Sequence, residues 1–336
     1  MKNIIISNNI SVKGKEVDGS SKTLKGFTPI YTATIINRLN EKKYNIEIEK
    51  LNNEFGLESG YNKNILSKIN ENNENIGIIA ETGLNMLNED LDNNLIGFKP
   101  SYGRVSRYGL FGFVSSMDNI SIYSKNIEDI IKVLEDISGK DMMDLTCKED
   151  KFAFIKSEVK SKDLDLDSFS EDKVLNLSKT VLDIITYGEA STNLAAIDGI
   201  RYGLREKGNS YEEIIINSRS NFGYEAKKVN LLGSFVLNKE NLEDTYFRAM
   251  KLRRLISEKM NNIMNDDEVL VLNCSNLNES DDKNIKLNFL SALVLSGMPA
   301  LKMKINEDEV IICAKPFYEN ALFNFAKTLN KEASNV

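Results

Sequence analysis

Four carboxylates, Glu81, Asp118, Glu189 and Asp198, could do acid–base chemistry if folding paired them. Two carboxyl groups with separated proton affinities can shuttle a proton to and from a reacting atom. Dispersed along the chain without a shared spacing, they read more readily as caps, surface charges or ion-pair partners. Lys99, Arg104 and Arg107 form a cationic set that could fork a phosphate or carboxylate, although buried structural ion pairs use the same residues. Lys251, Arg253 and Arg254 fall in one predicted helix, where they could touch RNA or an acidic partner. A solvated helix face is the plainer reading of such a run. The chain has no histidine, which excludes histidine general bases, a serine–histidine triad and histidine metal ligands together. Cys147, Cys274 and Cys313 are odd in number, far apart and without CxxC spacing, so neither a disulfide framework nor a zinc site is indicated. No GxGxxG opens a helix after a strand and no GxxxxGK[ST] occurs, so nothing in the chain calls for a nucleotide or other cofactor.

The elements that must hold these residues are those of an α/β protein. At 336 residues with 41% hydrophobic and 28% charged side chains, the chain can bury one large core or two modest ones. Its formal charge of −7 offers no global field for nucleic acid, so no direct RNA contact is indicated. Ile4–Ile6 is too brief for a signal core or a membrane span, which points to a cytoplasmic protein. Residues 3–6 read as a buried strand ended by Ser7-Asn8-Asn9, followed by a helix near Ala33–Leu39, an extended stretch through Ile46 and Ile48, and a strand over Ile76–Ala80. Residues 61–75 read as a polar loop and residues 157–172 as a charged link. Strands are expected at Phe152–Ile155, Val181–Ile185, Val269–Leu272, Leu301–Ile305 and Val310–Cys313, with helices over Leu242–Met264 and Phe289–Val294. The clearest signal is a helix capped by Asn126, carrying Ile127, Ile130, Ile131, Leu134 and Ile137, and closed by Gly139. No repeat or linker divides the chain, so residues 1–336 are read as a single domain.

Two runs carry a resemblance. GFKPSYGRVSRYGL, beginning at Gly97, and Gly188-Glu189-Ala190-Ser191-Thr192-Asn193-Leu194 continued by Asp198-Gly199-Ile200-Arg201-Tyr202-Gly203, are similar to segments of the amidase-signature family, in the form found in the A subunit of aspartyl/glutamyl-tRNA amidotransferases. Tyr31-Thr32-Ala33-Thr34, Glu54-Phe55, Arg219–Gly223, Leu231–Phe235 and Lys315-Pro316-Phe317 extend it. The resemblance implies a layered fold with a mixed central sheet flanked by helices. It also implies a serine nucleophile activated through a second serine by a neutral lysine, with glycine-rich backbone amides holding the oxyanion.

Carried over residue by residue, that machinery has changed. The lysine position is Ser7, followed by Asn8-Asn9, and the nucleophile position in Glu81-Thr82-Gly83-Leu84-Asn85 is Asn85, preceded by Leu84 where the family has glycine. The Gly/Ser-rich segment with the bridging serine is replaced by the short polar tract within 61–75, so the fold is expected to be truncated around its catalytic centre. The resemblance therefore implies a divergent, catalytically inactive paralogue acting as a scaffold or regulatory partner, with amidotransferase subunits B and C as natural partners. ATP use would belong to another component of such an assembly. The other reading is a working A subunit in glutamine-dependent amidation of Glu-tRNA(Gln) or Asp-tRNA(Asn), or an amidase with a relocated site.

Overall fold

The computed structural model describes residues 2–57, 62–82, 84–92, 94–274, 282–306 and 308–334. In chain order the elements are β1 (Asn3–Ser7), α1 (Thr34–Glu41), β2 (Asn45–Glu49), α2 (Lys63–Glu71), β3 (Asn75–Glu81), α3 (Leu84–Asn88), β4 (Ile96–Lys99), β5 (Asn119–Ser124) and α4 (Ile127–Ile137). There follow β6 (Lys160–Asp163), α5 (Leu166–Glu171), α6 (Ser178–Leu194), α7 (Tyr211–Ser220), α8 (Tyr224–Val236), α9 (Arg248–Ile263), β7 (Glu268–Asn273), α10 (Asp282–Leu295), β8 (Ala300–Ile305), β9 (Asp308–Cys313) and α11 (Glu319–Ser334). All nine strands join one mixed sheet in the order β2-β1-β3-β5-β4-β8-β9-β7-β6. The β2-β1-β3 pairs and the β6-β7 pair are parallel, and the rest are antiparallel.

Strand alternation divides the core between the two faces. Ile4 and Ile6 of β1 pack with Ile35 and Ile36 of α1, Ile130 and Leu134 of α4, and Leu322 and Phe323 of α11. Ile5, Ile79 and Tyr123 face the other layer, built by Ile65 of α2, Ile185 of α6, Ile256 of α9 and Phe289 of α10. The capping expectation for α4 holds: Asn126 Oδ1 accepts from Glu128 N at 3.0 Å, and Gly139 takes φ +114°, a conformation that side chains with a Cβ avoid. At Gly109, with φ +87°, a Cβ would lie 2.5 Å from Ala33 Cα, so this turn closes against the start of α1 only because the residue is glycine.

Four expectations are corrected. Val181–Ile185 lies inside the 17-residue helix α6, not in a strand. Its apolar run is short enough to fit either element, and burial of Val181, Leu182, Ile185 and Gly188 follows helical spacing. Phe152–Ile155 is not a strand, because its amides bond side chains instead: Phe152 N to Ser138 Oγ at 2.9 Å and Phe154 N to Glu135 Oε1 at 3.0 Å. The link 157–172 contains β6, an edge strand with every side chain exposed and hence no apolar alternation to betray it, and α5, capped by Asp165 and anchored by buried Phe169. Residues 63–71 of the polar stretch 61–75 form α2, whose Ile65 and Ile69 are buried beneath an otherwise polar surface; Tyr61 lies outside the described residues.

Candidate functional site

β1 and β3 run parallel, and the last backbone rung between them pairs Ile6 with Ile78. Beyond it, side chains take over. Ser7 Oγ accepts from Ala80 N at 3.1 Å and donates to Asn9 Oδ1 at 2.5 Å, while Asn9 Nδ2 donates to Ala80 O at 2.9 Å. Ser7 is fully buried and Asn9 nearly so. The Ser7 hydroxyl thus completes a strand ending, bonded on both sides by β3 and Asn9.

β5 is antiparallel to β3, with Glu81 opposite Asn119, which brings Asp118 and Asn119 beside the end of β3. These residues, with Asn9 and Asn85, line a cavity of about 140 Å³. The far wall is aromatic: Phe55 stacks on Phe111 at 4.9 Å between centroids and lies 6.3 Å from Phe113. Helix α6 closes the cavity with Leu182, Asp183 and Thr186. Asn85, in the five-residue α3, donates its amide to Gly56 O at 3.0 Å; Gly83 lies outside the described residues.

Each of the four carboxylates is held by hydrogen bonds of the fold. Glu81 accepts from Ser121 Oγ and, at 3.2 Å, from Met86 N. Asp118 accepts from Phe113 N and Val114 N, both at 2.8 Å. Burial raises its proton affinity more than those two amides lower it, leaving its pKa at about 6. Glu189 lies away from the cavity lining, accepting from Ser116 N at 2.8 Å. Asp198 closes a turn through Ile200 N and Arg201 N and pairs with Arg201; these contacts outweigh its desolvation and pull its carboxyl to about 2. Glu81 and Asp118 therefore share a cavity, Glu189 and Asp198 stand elsewhere, and all four have structural work.

The cations are likewise engaged. Lys99 is 2% exposed and donates to Met298 O at 2.7 Å; burial brings its ammonium down to about 8. Arg104 pairs with fully buried Glu319 at 3.0 Å, and Arg107 pairs with Asp144 at 3.3 Å. The expectation of a solvated face holds for Lys251 and for Arg254, which pairs with Glu258, but fails for Arg253. Arg253 reaches inward to Ser116 Oγ at 2.7 Å, Ser116 O at 2.9 Å and Leu295 O at 3.0 Å. Among the described residues no cluster of three or more acidic or cysteine side chains could hold a metal ion.

Sequence reasoning missed Asn9, Asn119, Asp183 and the three phenylalanines as cavity residues. Asn9 carried a signal, an amide two residues past a strand end. Within the aromatic wall, Phe55 lay in a matched run, but no local pattern linked it to Phe111 and Phe113, which come from irregular chain far along the sequence.

Residues 92–181 match the family model described as Amidase. The A subunit of the glutamyl-tRNA(Gln) amidotransferase of Helicobacter hepaticus is 31% identical, and the match covers 99% of this chain and 90% of that protein. The chain belongs to the amidase-signature family. The corresponding subunit of Halothermothrix orenii is 32% identical over 80% of this chain and 68% of its own length. A solved structure of that subunit from Thermotoga maritima superposes with a TM-score of 0.62 at 20% identity, covering 96% of this chain and 81% of that one, which shows the shared fold. The Helicobacter match runs over 406 aligned positions against 336 residues in this chain, so at least 70 positions of this relative lie opposite gaps. This family member is therefore shortened internally.

No helix among the described residues is long and apolar enough to cross a membrane.

Proposed function

We propose that this amidase-signature protein is a catalytically inactive relative of the amidotransferase A subunit that serves as a scaffold or regulatory partner within a cytoplasmic amidotransferase-type assembly. Its partners would be proteins equivalent to subunits B and C, and residues 1–336 would serve as one degenerate domain. The observation that carries the reading is Ser7, bound to Ala80 N and Asn9 at the end of β1. A serine hydroxyl becomes a nucleophile only beside a group that takes its proton. Here the position of the family's lysine holds a hydroxyl already committed to the fold, and the position of its nucleophile holds an amide bonded to Gly56 O. Removing such a unit leaves little beyond binding and polarisation. The relatives are named as subunits of glutamyl-tRNA(Gln) amidotransferases, which supports retention of an assembly role.

The test is glutamine hydrolysis by the purified chain, alone and with B- and C-type subunits, together with co-purification of those subunits. The expected outcome is a stable complex without ammonia release. Sustained release abolished by one substitution in the cavity would overturn the reading in favour of a working amidotransferase component, and absence of any complex would remove the scaffold role.

A further inference from the structure

The cavity is walled on one side by a segment with almost no backbone partners of its own. Between Phe113 and Ser116 the main chain hangs from side chains: Asp118 holds the N–H groups of Phe113 and Val114, Asn193 Nδ2 holds Phe113 O at 2.9 Å, Tyr102 Oη (3.0 Å) and Arg107 Nη1 hold Ser115 O, Glu189 holds Ser116 N, and Arg253 holds Ser116 O. Its internal backbone–backbone bonds fold back from Met117 N and Asp118 N onto Val114 O. The anchors from outside the segment stand on α6, on α9 and on the preceding loop that carries Tyr102 and Arg107. One side of the segment, through Phe113 and Asp118, lines the interior cavity; the other, through Ser115 and Ser116, lines an open cleft of about 550 Å³ that also includes Glu189 and Tyr246.

We propose that residues 113–118 form a releasable gate between the interior cavity and this cleft, latched by Asp118. A wall built from side-chain hydrogen bonds can open by losing those side-chain anchors, with no sheet or helix unfolded. Release would connect the two spaces whether or not the cavity retains any chemistry. The latch is also coupled to protons. The groups facing Asp118 are Arg107, itself paired with Asp144, and Glu189, with Arg253 beyond Ser116. Closed, Asp118 has a pKa of about 6, above its ordinary 3.8. Opening returns it to water and to its ordinary range. The closed gate therefore binds the proton more tightly, and opening is suppressed as pH falls through 6. Between pH 7 and pH 5 the opening equilibrium should drop about tenfold.

Amide hydrogen exchange of the full chain tests this, corrected for the intrinsic pH dependence of exchange. In the wild type, residues 113–116 should exchange through openings smaller than global unfolding, with protection rising about tenfold from pH 7 to pH 5. Asp118→Asn should abolish that pH dependence, since its amide does not titrate and cannot accept both N–H groups. Arg253→Met, which frees Ser116 O while leaving Asp118 and Glu189 intact, should speed exchange at 113–116 and keep the pH response. The proposal fails if these amides exchange only with β3 and β5, or if wild-type protection is flat or falls towards pH 5. Those readings stand even if Asp118→Asn does not fold.

Discussion

Ser7 sits where a parallel strand pair runs out of backbone partners, and its hydroxyl supplies the missing acceptor for Ala80 N. Ser7→Ala would strand a buried amide, and a loss of about 1–3 kcal/mol in urea unfolding is expected. Asn85 is only half buried and makes one bond to Gly56 O, so Asn85→Ser should cost no more than about 1 kcal/mol. That variant should also show no glutamine hydrolysis, because restoring a hydroxyl restores no base. Both residues stand out in the sequence through the motifs around them. What each residue does instead was not readable. The bond between Ser7 and Ala80 spans 73 residues and depends on where β3 stops beside β1.

Helix α4 shows what local code can deliver. Its cap, apolar stripe and terminal glycine all lie within one short run, and the structure follows them. Asn126→Ala should remove the bond to Glu128 N and cost about 1 kcal/mol, measurable as a shifted urea midpoint with unchanged slope. Helix α6 shows the limit. Val181-Leu182-Asp183-Ile184-Ile185 has strand composition, and only packing against α8, α9 and α10 makes it helical. This matters for the site, because Leu182, Asp183 and Thr186 close the cavity from that helix. Edge strand β6 was illegible for the opposite reason: an element that buries nothing leaves no apolar pattern.

Across the whole molecule, the loop after β4 and the start of α11 are tied through the sheet and through buried charge. Glu319 at the start of α11 is fully buried, accepts from Ser101 N at 3.2 Å and pairs with Arg104. Glu319→Ala would leave an unpaired guanidinium inside, so a loss of about 3–5 kcal/mol is expected by calorimetry. One sheet with a core on each face should melt as a unit, and the variant should lower a single transition without splitting it. The class and mixed layering were legible from strand and helix order and from the two matched runs. The strand order was not, since it places β4 beside β8, across most of the chain.

That adjacency has a consequence for synthesis. β4 pairs with β5 on one side, but its other edge waits for Ala300–Lys302. Ribosomes add about 5–20 residues per second, so roughly 200 intervening residues leave that edge open for about 10–40 s. The first five strands can assemble in that interval as a half-sheet ending in Ile96-Gly97-Phe98-Lys99, an apolar edge available to any other nascent chain. The C-terminal strands thus complete the fold and also end a period of exposure during which the unfinished protein is most prone to mispairing.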